Sequence, residues 1–150
     1  RRDNSLTTSF LLEQSAWQEL ADRIALILGV PITTAFESPN RYLLQGPLTS
    51  SGNPMVYLRL EIWLVAKEDI GEQHWAKLGY FVLANDYRRQ GYGRQIINAT
   101  KEWLYSLHRF DQVCLYARPE IVPFWEACGF NPVENESRLC WYPKKIKEEG

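Results

Sequence analysis

The sequence predicts an α/β (α+β) fold, a mixed sheet flanked by helices, and three observations carry that prediction. Val56, Leu58, Leu60, Ile62 and Leu64 alternate with Tyr57, Arg59, Glu61 and Trp63, which is the period of a strand with one buried face. A second strand pattern, "WAKLGYFVLA", is followed by a helical stripe of Ile96, Thr100, Trp103 and Leu107 and then by the short apolar run "VCLYA". Together these form a strand–helix–strand unit. Ahead of both, Trp17, Leu20, Ile24 and Leu28 recur at helical spacing.

Along the chain, the first helix is expected from about Ala16 to Leu28. Ser15 stands as its cap, Gln18 as the capping-box partner, and Gly29-Val30-Pro31 as the stop. "RYLLQG" and the alternating run read as strands, and the polar turn "KEDIGEQ" makes "WAKLGYFVLA" the hairpin partner of the second. The next helix spans Gly93 to Leu107, with Ile97 and Leu104 beside its stripe, and Val113–Ala117 follows as a strand. Pro119 and Pro123 start a short helix near Ile121–Cys128; Gly129 ends it, and Phe130 is placed to pack back on it. "RLCWY" reads as the last strand and "PKKIKEEG" as a solvated end.

Composition narrows the class. A chain of 150 residues with 45% apolar and 13% aromatic residues fits a single domain over 1–150 with one substantial core. The net charge of -1 gives no general reason to expect nucleic acid or an acidic membrane as a partner, so neither is expected. No apolar run is long enough to span a bilayer, and "RRDNSLTTSF" lacks the apolar core of a secretory signal, which makes a cytoplasmic location the expectation. Cys114, Cys128 and Cys140 lie in apolar contexts without metal-ligand spacing, and His74 and His108 are far apart. Reduced core thiols and no metal are expected.

One stretch resists a purely structural reading. "YRRQGYGRQIIN" puts Arg88, Arg89 and Arg94 around Gly91 and Gly93 where a strand pattern hands over to a helix, with no acid between Tyr87 and Lys101. A helix N-terminus already carries a partial positive charge, so the arginines call for an external anion. Glycines at such a turn allow a tight bend and present free N–H groups, the makings of a phosphate cradle. The phosphate-loop lysine motif is missing, and Ile96 stands where a dinucleotide fold has its third glycine.

This stretch, "FVLANDYRRQGYGRQ", resembles the acyl-CoA pyrophosphate loop of the GNAT superfamily of N-acetyltransferases, with Arg88, Gly91 and Gly93 at the matching positions. A second landmark of that family is similar to "PFWEACGFNPV", whose wording comes nearest to the serotonin N-acetyltransferase branch. The resemblance covers about Lys77 to Val133. It implies a GNAT-like central mixed, mostly antiparallel sheet splayed into a V, with acetyl-CoA in the splay as acyl donor and no metal. It further implies donor binding by Phe81, Val82, Leu83, Arg88, Arg89, Gln90, Gly91, Tyr92, Gly93, Arg94 and Trp125.

The reaction so implied is direct attack of a primary amine on the thioester in a ternary complex, with a small-molecule or peptide amine as acceptor and a monomer or homodimer as the working state. In many family members a tyrosine acts as general acid where this sequence has Trp125, and an indole N–H does not deliver a proton at useful pH. Either another group is the acid, with Tyr116 on the adjacent strand or a water as candidates, or the thiolate leaves unassisted. Glu61 and then His74 are the candidate bases, Glu61 on the polar face of a strand near the cleft and His74 in an expected loop. Trp17 and Trp103 read as packing; Trp63, Trp75 and Trp125 are candidates to line an acceptor pocket. The alternative is a non-catalytic acyl-CoA-binding module, motivated by Trp125; a nucleotide-binding regulator using the same glycine turn is a second.

Overall fold

The computed structural model describes residues 12–69 and 71–143. The segment "RRDNSLTTSF" and all of "PKKIKEEG" except Pro143 lie outside the described residues. The elements are α1 (Gln14–Leu28), β1 (Thr33–Ser38), β2 (Arg41–Gln45), β3 (Val56–Lys67), β4 (Gly71–Leu83), α2 (Tyr92–Leu107), β5 (Gln112–Tyr116), α3 (Val122–Ala127), β6 (Asn131–Pro132) and β7 (Arg138–Trp141). The seven strands form one sheet in the order β1-β2-β3-β4-β5-β7-β6, in which only β4 and β5 run parallel.

The alternation in β3 works as expected up to Ile62. Val56, Leu58, Leu60 and Ile62 are fully buried, whereas Trp63 and Leu64 are exposed where the strand outruns the core. The expected hairpin with β4 forms along its whole length, from Val56↔Leu83 to Lys67↔Gly71. β4 starts earlier than its apolar run suggests, because Glu72, Gln73 and His74 pair with the far end of β3. His74 is therefore a strand residue and not a loop residue. β1 and β6 are short edge strands that carried no alternation signal in the sequence.

α1 keeps its expected stop, with Gly29 at φ 72° and its N–H donating to Ala25 O. Its start differs. The helix begins at Gln14 with Glu13 as N-cap and no side-chain cap, since the N–H groups of Ala16 and Trp17 donate to Glu13 O. Gln18 instead donates to Asp22 and accepts from Thr34, so the capping box does not form. The helix is held by tertiary contacts: Trp17 Nε1 donates to Leu43 O at 2.8 Å, and Trp103 Nε1 on α2 donates to Ala16 O at 3.0 Å.

The core lies between this helical layer and one face of the sheet. α3 closes over Phe130 as expected: Gly129 at φ 97° follows the helix, and Phe130 N–H donates back to Trp125 O. All three cysteines are free and buried. Desolvation pushes the Cys114 thiol up to about 11, above its unfolded value of ~8.5 to 9. A thiol held neutral in this way stabilises the fold below the unfolded pKa, and the stabilisation is lost as pH rises toward 11. Urea unfolding between pH 8.5 and 11 is expected to show a loss of stability that Cys114→Val reduces by up to ~2–3 kcal/mol, the buried Cys128 and Cys140 thiols, also raised, contributing the rest. Comparison with that variant isolates the thiol from Lys101, which desolvation shifts down and which acts with the opposite sign.

Candidate active site

The parallel pairing of β4 with β5 is brief. It covers Trp75↔Gln112, Ala76↔Val113 and Lys77↔Cys114 and then stops, while β4 runs on to Leu83. From Leu78 onward, the β4 edge that faces β5 has no ladder partner. The gap is a cleft of about 910 Å³ whose walls include Gly79, Phe81, Leu83, Tyr116, Phe124 and Trp125 and whose mouth carries Arg88, Arg89, Gly91 and Arg94. A splay of this kind offers a row of backbone donors and acceptors to an extended ligand.

At the mouth, a 3-10 turn at Asn85–Tyr87 leads into α2. Gly91 is the N-cap at φ 84°, a left-handed conformation that suits glycine, and no side chain caps the helix. The first helical hydrogen bond joins Gln95 N to Gly91 O. The N–H groups of Tyr92, Gly93 and Arg94 are the unpaired donors of a helix N-terminus, the arrangement suited to a phosphate. Gly93 serves a different end from the one expected. A Cβ there would sit 3.2 Å from the Phe124 ring, so this glycine lets α3 approach the first turn of α2.

The arginines divide their work. Arg88 Nε donates to Leu83 O at 2.7 Å, which fixes the loop to the end of β4. Arg94 reaches Ala127 O, and Lys101 donates to Cys128 O, so α2 holds the C-terminal end of α3. Arg89 is exposed and has φ 63°, a backbone conformation uncommon for a residue with a side chain. Gln90 donates to Asp86 O and so braces the loop.

Trp125 is 6% exposed. Its ring meets Phe81, Phe124 and Phe130 at tilted or edge-on geometry with centroids 5.0 to 6.2 Å apart, an aromatic cluster that forms one wall of the cleft. Tyr116 ends β5 and is 57% exposed. Lys77 Nζ lies 5.1 Å from the centre of the Tyr116 ring and 5.7 Å from that of Trp63, which anchors the phenol at the point where the strands part.

The two candidate bases are differently placed. Glu61 is 5% exposed and both its oxygens are engaged: Oε1 accepts from Trp63 Nε1 at 3.0 Å, and Oε2 lies 3.0 Å from Arg41 Nε and 4.0 Å from Arg59 Nε. Such a carboxylate, buried among two arginines and an indole, organises its neighbours. His74 sits five residues before Gly79 on β4, roughly 16 Å at ~3.3 Å per residue, and its backbone is tied to Asp111 by a pair of hydrogen bonds. Neither lines the cleft. Trp75 is covered by Arg138, whose Cζ is 4.9 Å from its ring, so Trp63 and Trp75 lie apart from the cleft and only Trp125 of the candidate tryptophans lines it.

Sequence reasoning missed Gly79. The β3–β4 register shifts there, with Arg59 opposite Tyr80 and Leu60 opposite Leu78, leaving Gly79 as the extra residue of a bulge. A lone glycine inside the strand "KLGYF" was the available signal. Among the described residues no group of three or more His, Cys, Asp or Glu is placed to hold a metal, and no helix is long and apolar enough to cross a membrane.

The sequence matches the acetyltransferase (GNAT) domain over residues 62–141, more than half of the chain. No curated protein matches it in sequence. Among solved structures of the same fold, a KacTA–DNA complex superposes with a TM-score of 0.60 at 13% identity, covering 75% of this chain and 74% of that one. AtaTR bound with acetyl-CoA gives 0.55 at 18% identity, covering 73% of each chain. AtaT complexed with acetyl-methionyl-tRNAfMet gives 0.55 at 17%, covering 73% and 74%.

These neighbours correct one expectation. A net charge of -1 does not exclude nucleic acid as a partner, because chains of this fold are found in complexes with DNA and with a tRNA. Net charge averages over the whole surface, whereas Arg88, Arg89 and Arg94 concentrate positive charge at one loop, and local potential governs encounter with a polyanion. From the splayed strands, the uncapped glycine turn and the match across the sheet, the chain belongs to the GNAT family of acetyl-CoA-dependent acetyltransferases.

Proposed function

We propose that this domain transfers the acetyl group of acetyl-CoA to a primary amine by direct attack within a ternary complex. One observation carries the reading: β4 and β5 part after Lys77 and Cys114, and the cleft so opened runs from Tyr116 to the uncapped N-terminus of α2. The free amides of Tyr92, Gly93 and Arg94, with Arg88 and Arg89, suit the pyrophosphate, and the open edge of β4 at Phe81, Val82 and Leu83 suits the pantetheine amides. Trp125 packs the cleft wall beside them. Family membership favours catalysis over the non-catalytic binding module.

The amine nitrogen, once neutral, attacks the thioester carbonyl carbon. The C–N bond forms, the C–S bond breaks, the nitrogen sheds a proton to solvent, and the thiolate of coenzyme A takes one up. Tyr116 is the proton donor in this proposal, being the hydroxyl on the cleft wall where the strands part; Trp125 offers only an indole N–H. Glu61 becomes a positioning residue that holds Arg41 and Trp63. The amine's carrier is open to a broader class than a small molecule or peptide, because AtaT is seen with an acetylated aminoacyl-tRNA.

Thiol release from acetyl-CoA over a panel of amines tests the reading, with thermal shift by coenzyme A as the independent measure of binding. Tyr116→Phe is expected to lower kcat by about 100-fold, within the range of general acid catalysis, at unchanged acetyl-CoA KM. Placing Trp125→Tyr in that background is expected to restore part of the rate by returning a hydroxyl to the cleft wall. A Tyr116→Phe variant with the wild-type kcat would remove Tyr116 from the mechanism.

A further inference from the structure

A second cavity of about 690 Å³ lies on the sheet face away from the helices, between the β2–β3 connection and the outward side chains of β3 and β4. It shares Tyr80, Val82 and Arg88 with the donor cleft. Strand β4 is therefore a common wall, with the donor on one side and this cavity on the other. Tyr57 and Tyr80 meet edge to face on its floor, with ring centres 5.6 Å apart, and Asp86 is the acid on its wall at the loop end.

Arg59 is the unusual member of that wall. Its guanidinium lies across β4 at the bulge, and a Cβ on Gly79 would come within 3.0 Å of Arg59 Nε. The glycine thus leaves room for the guanidinium to sit over the strand, beside the edge that faces the donor cleft. Arg59 Nε is buried and has no hydrogen-bond partner, and the same holds for Arg41 Nε. Glu61 is shared with Arg41, which takes the shorter contact at 3.0 Å against 4.0 Å for Arg59, so one carboxylate faces two guanidiniums and positive charge is left over. The Arg59 Nε is covered by the strand, so Arg59 meets the cavity through the rest of a side chain that keeps 31% of its surface exposed, and its unbalanced charge borders a cavity next to the reacting end of the donor cleft.

Building on the acetyl-transfer reading above, we propose that this cavity is the acceptor site and that Arg59 selects amines whose molecule also carries an anion, a carboxylate or a phosphate. The anion completes Arg59 and places the amine along β4 beside Tyr80, which borders both cavities, and the Tyr57–Tyr80 pair offers aromatic surface to the remainder of the acceptor.

The experiment uses the chain saturated with coenzyme A and measures binding of matched acceptors by calorimetry: phenylalanine against phenylalaninamide for a carboxylate, and phosphoethanolamine against ethanolamine for a phosphate. The anionic member of at least one pair is expected to bind ~10-fold more tightly, the scale of one charge-assisted hydrogen bond, and the pair that shows it identifies the anion. Arg59→Gln is expected to reduce that preference to under about twofold and Arg59→Lys to keep part of it. Gly79→Val crowds the guanidinium without removing its charge and is expected to weaken the preference as well; it decides the matter should Arg59→Gln fail to fold. Equal affinities within both pairs, no saturable binding of either anion, or a preference unaffected by these variants overturns the proposal. Thiol release is read in parallel. An Arg59-dependent anion preference without acetyl transfer upholds this site and removes the proposed activity, whereas transfer without the preference does the reverse.

Discussion

Gly91→Val is expected to abolish the rise in melting temperature that coenzyme A confers on the wild-type chain while leaving the domain folded. Gly91 holds φ 84° at the N-cap of α2, and a Cβ there would meet little, the nearest atom being Gln95 Nε2 at 3.8 Å. The penalty therefore comes from the backbone and not from a clash: a β-branched residue held in this region costs ~1–3 kcal/mol. The chain relieves the strain by rotating the turn, which misaligns the amides of Tyr92, Gly93 and Arg94 together. For the wild type, coenzyme A at a hundredfold excess over its Kd adds ~2.7 kcal/mol, or roughly 5–10 °C for a domain of this size. A full shift in the valine variant would remove this loop from the phosphate site.

Trp103→Ala is expected to cost ~3–5 kcal/mol of stability, the range for truncating a buried aromatic ring. Trp103 is fully buried, lies 5.7 Å from Trp17 between ring centres, and spends its indole N–H on Ala16 O. The truncation leaves a cavity between α1 and α2 and removes the hydrogen bond that ties the two helices at Ala16, two separate penalties. Trp103→Phe keeps most of the volume and loses the hydrogen bond, so an intermediate loss is expected. Urea midpoints of the three proteins check the order; equal midpoints for wild type and Trp103→Ala would show that the helices are not joined through this ring.

How much could be read in advance varied with how local each determinant is. The β3 face, the β3–β4 hairpin, α2 and the short α3 were legible because period, glycine and proline act within a few residues. The glycine turn at the head of α2 was legible for the same reason. Leu64 misled because its alternation persists past the end of the helical layer that buries Ile62. Ser15 and Gln18 misled because the helix starts at Gln14, where backbone donors reach Glu13 O, and Gln18 finds Asp22 and Thr34 instead.

For the site, the sequence pattern pointed to residues of which Phe81, Leu83, Arg88, Gly91, Trp125 and Tyr116 border one cleft. It placed Glu61 on the right strand face and could not know that Arg41, from a different strand, would occupy one of its oxygens. His74 was drawn by its chemistry alone, and the long hairpin carries it away from the cleft.

By itself, the sequence determined the order of the helices and of the strands other than β1 and β6, the glycine turn at the head of α2 and the membership in an acetyltransferase family, since each is written in short patterns governed by backbone preference and side-chain period. Only the tertiary structure decided that β4 and β5 separate after three paired positions, that Gly93 is small for the sake of Phe124, and that Arg59 lies over Gly79. Those facts depend on which strands become neighbours and how their registers slip, and side chains far apart in the chain meet only once the sheet has closed around its core.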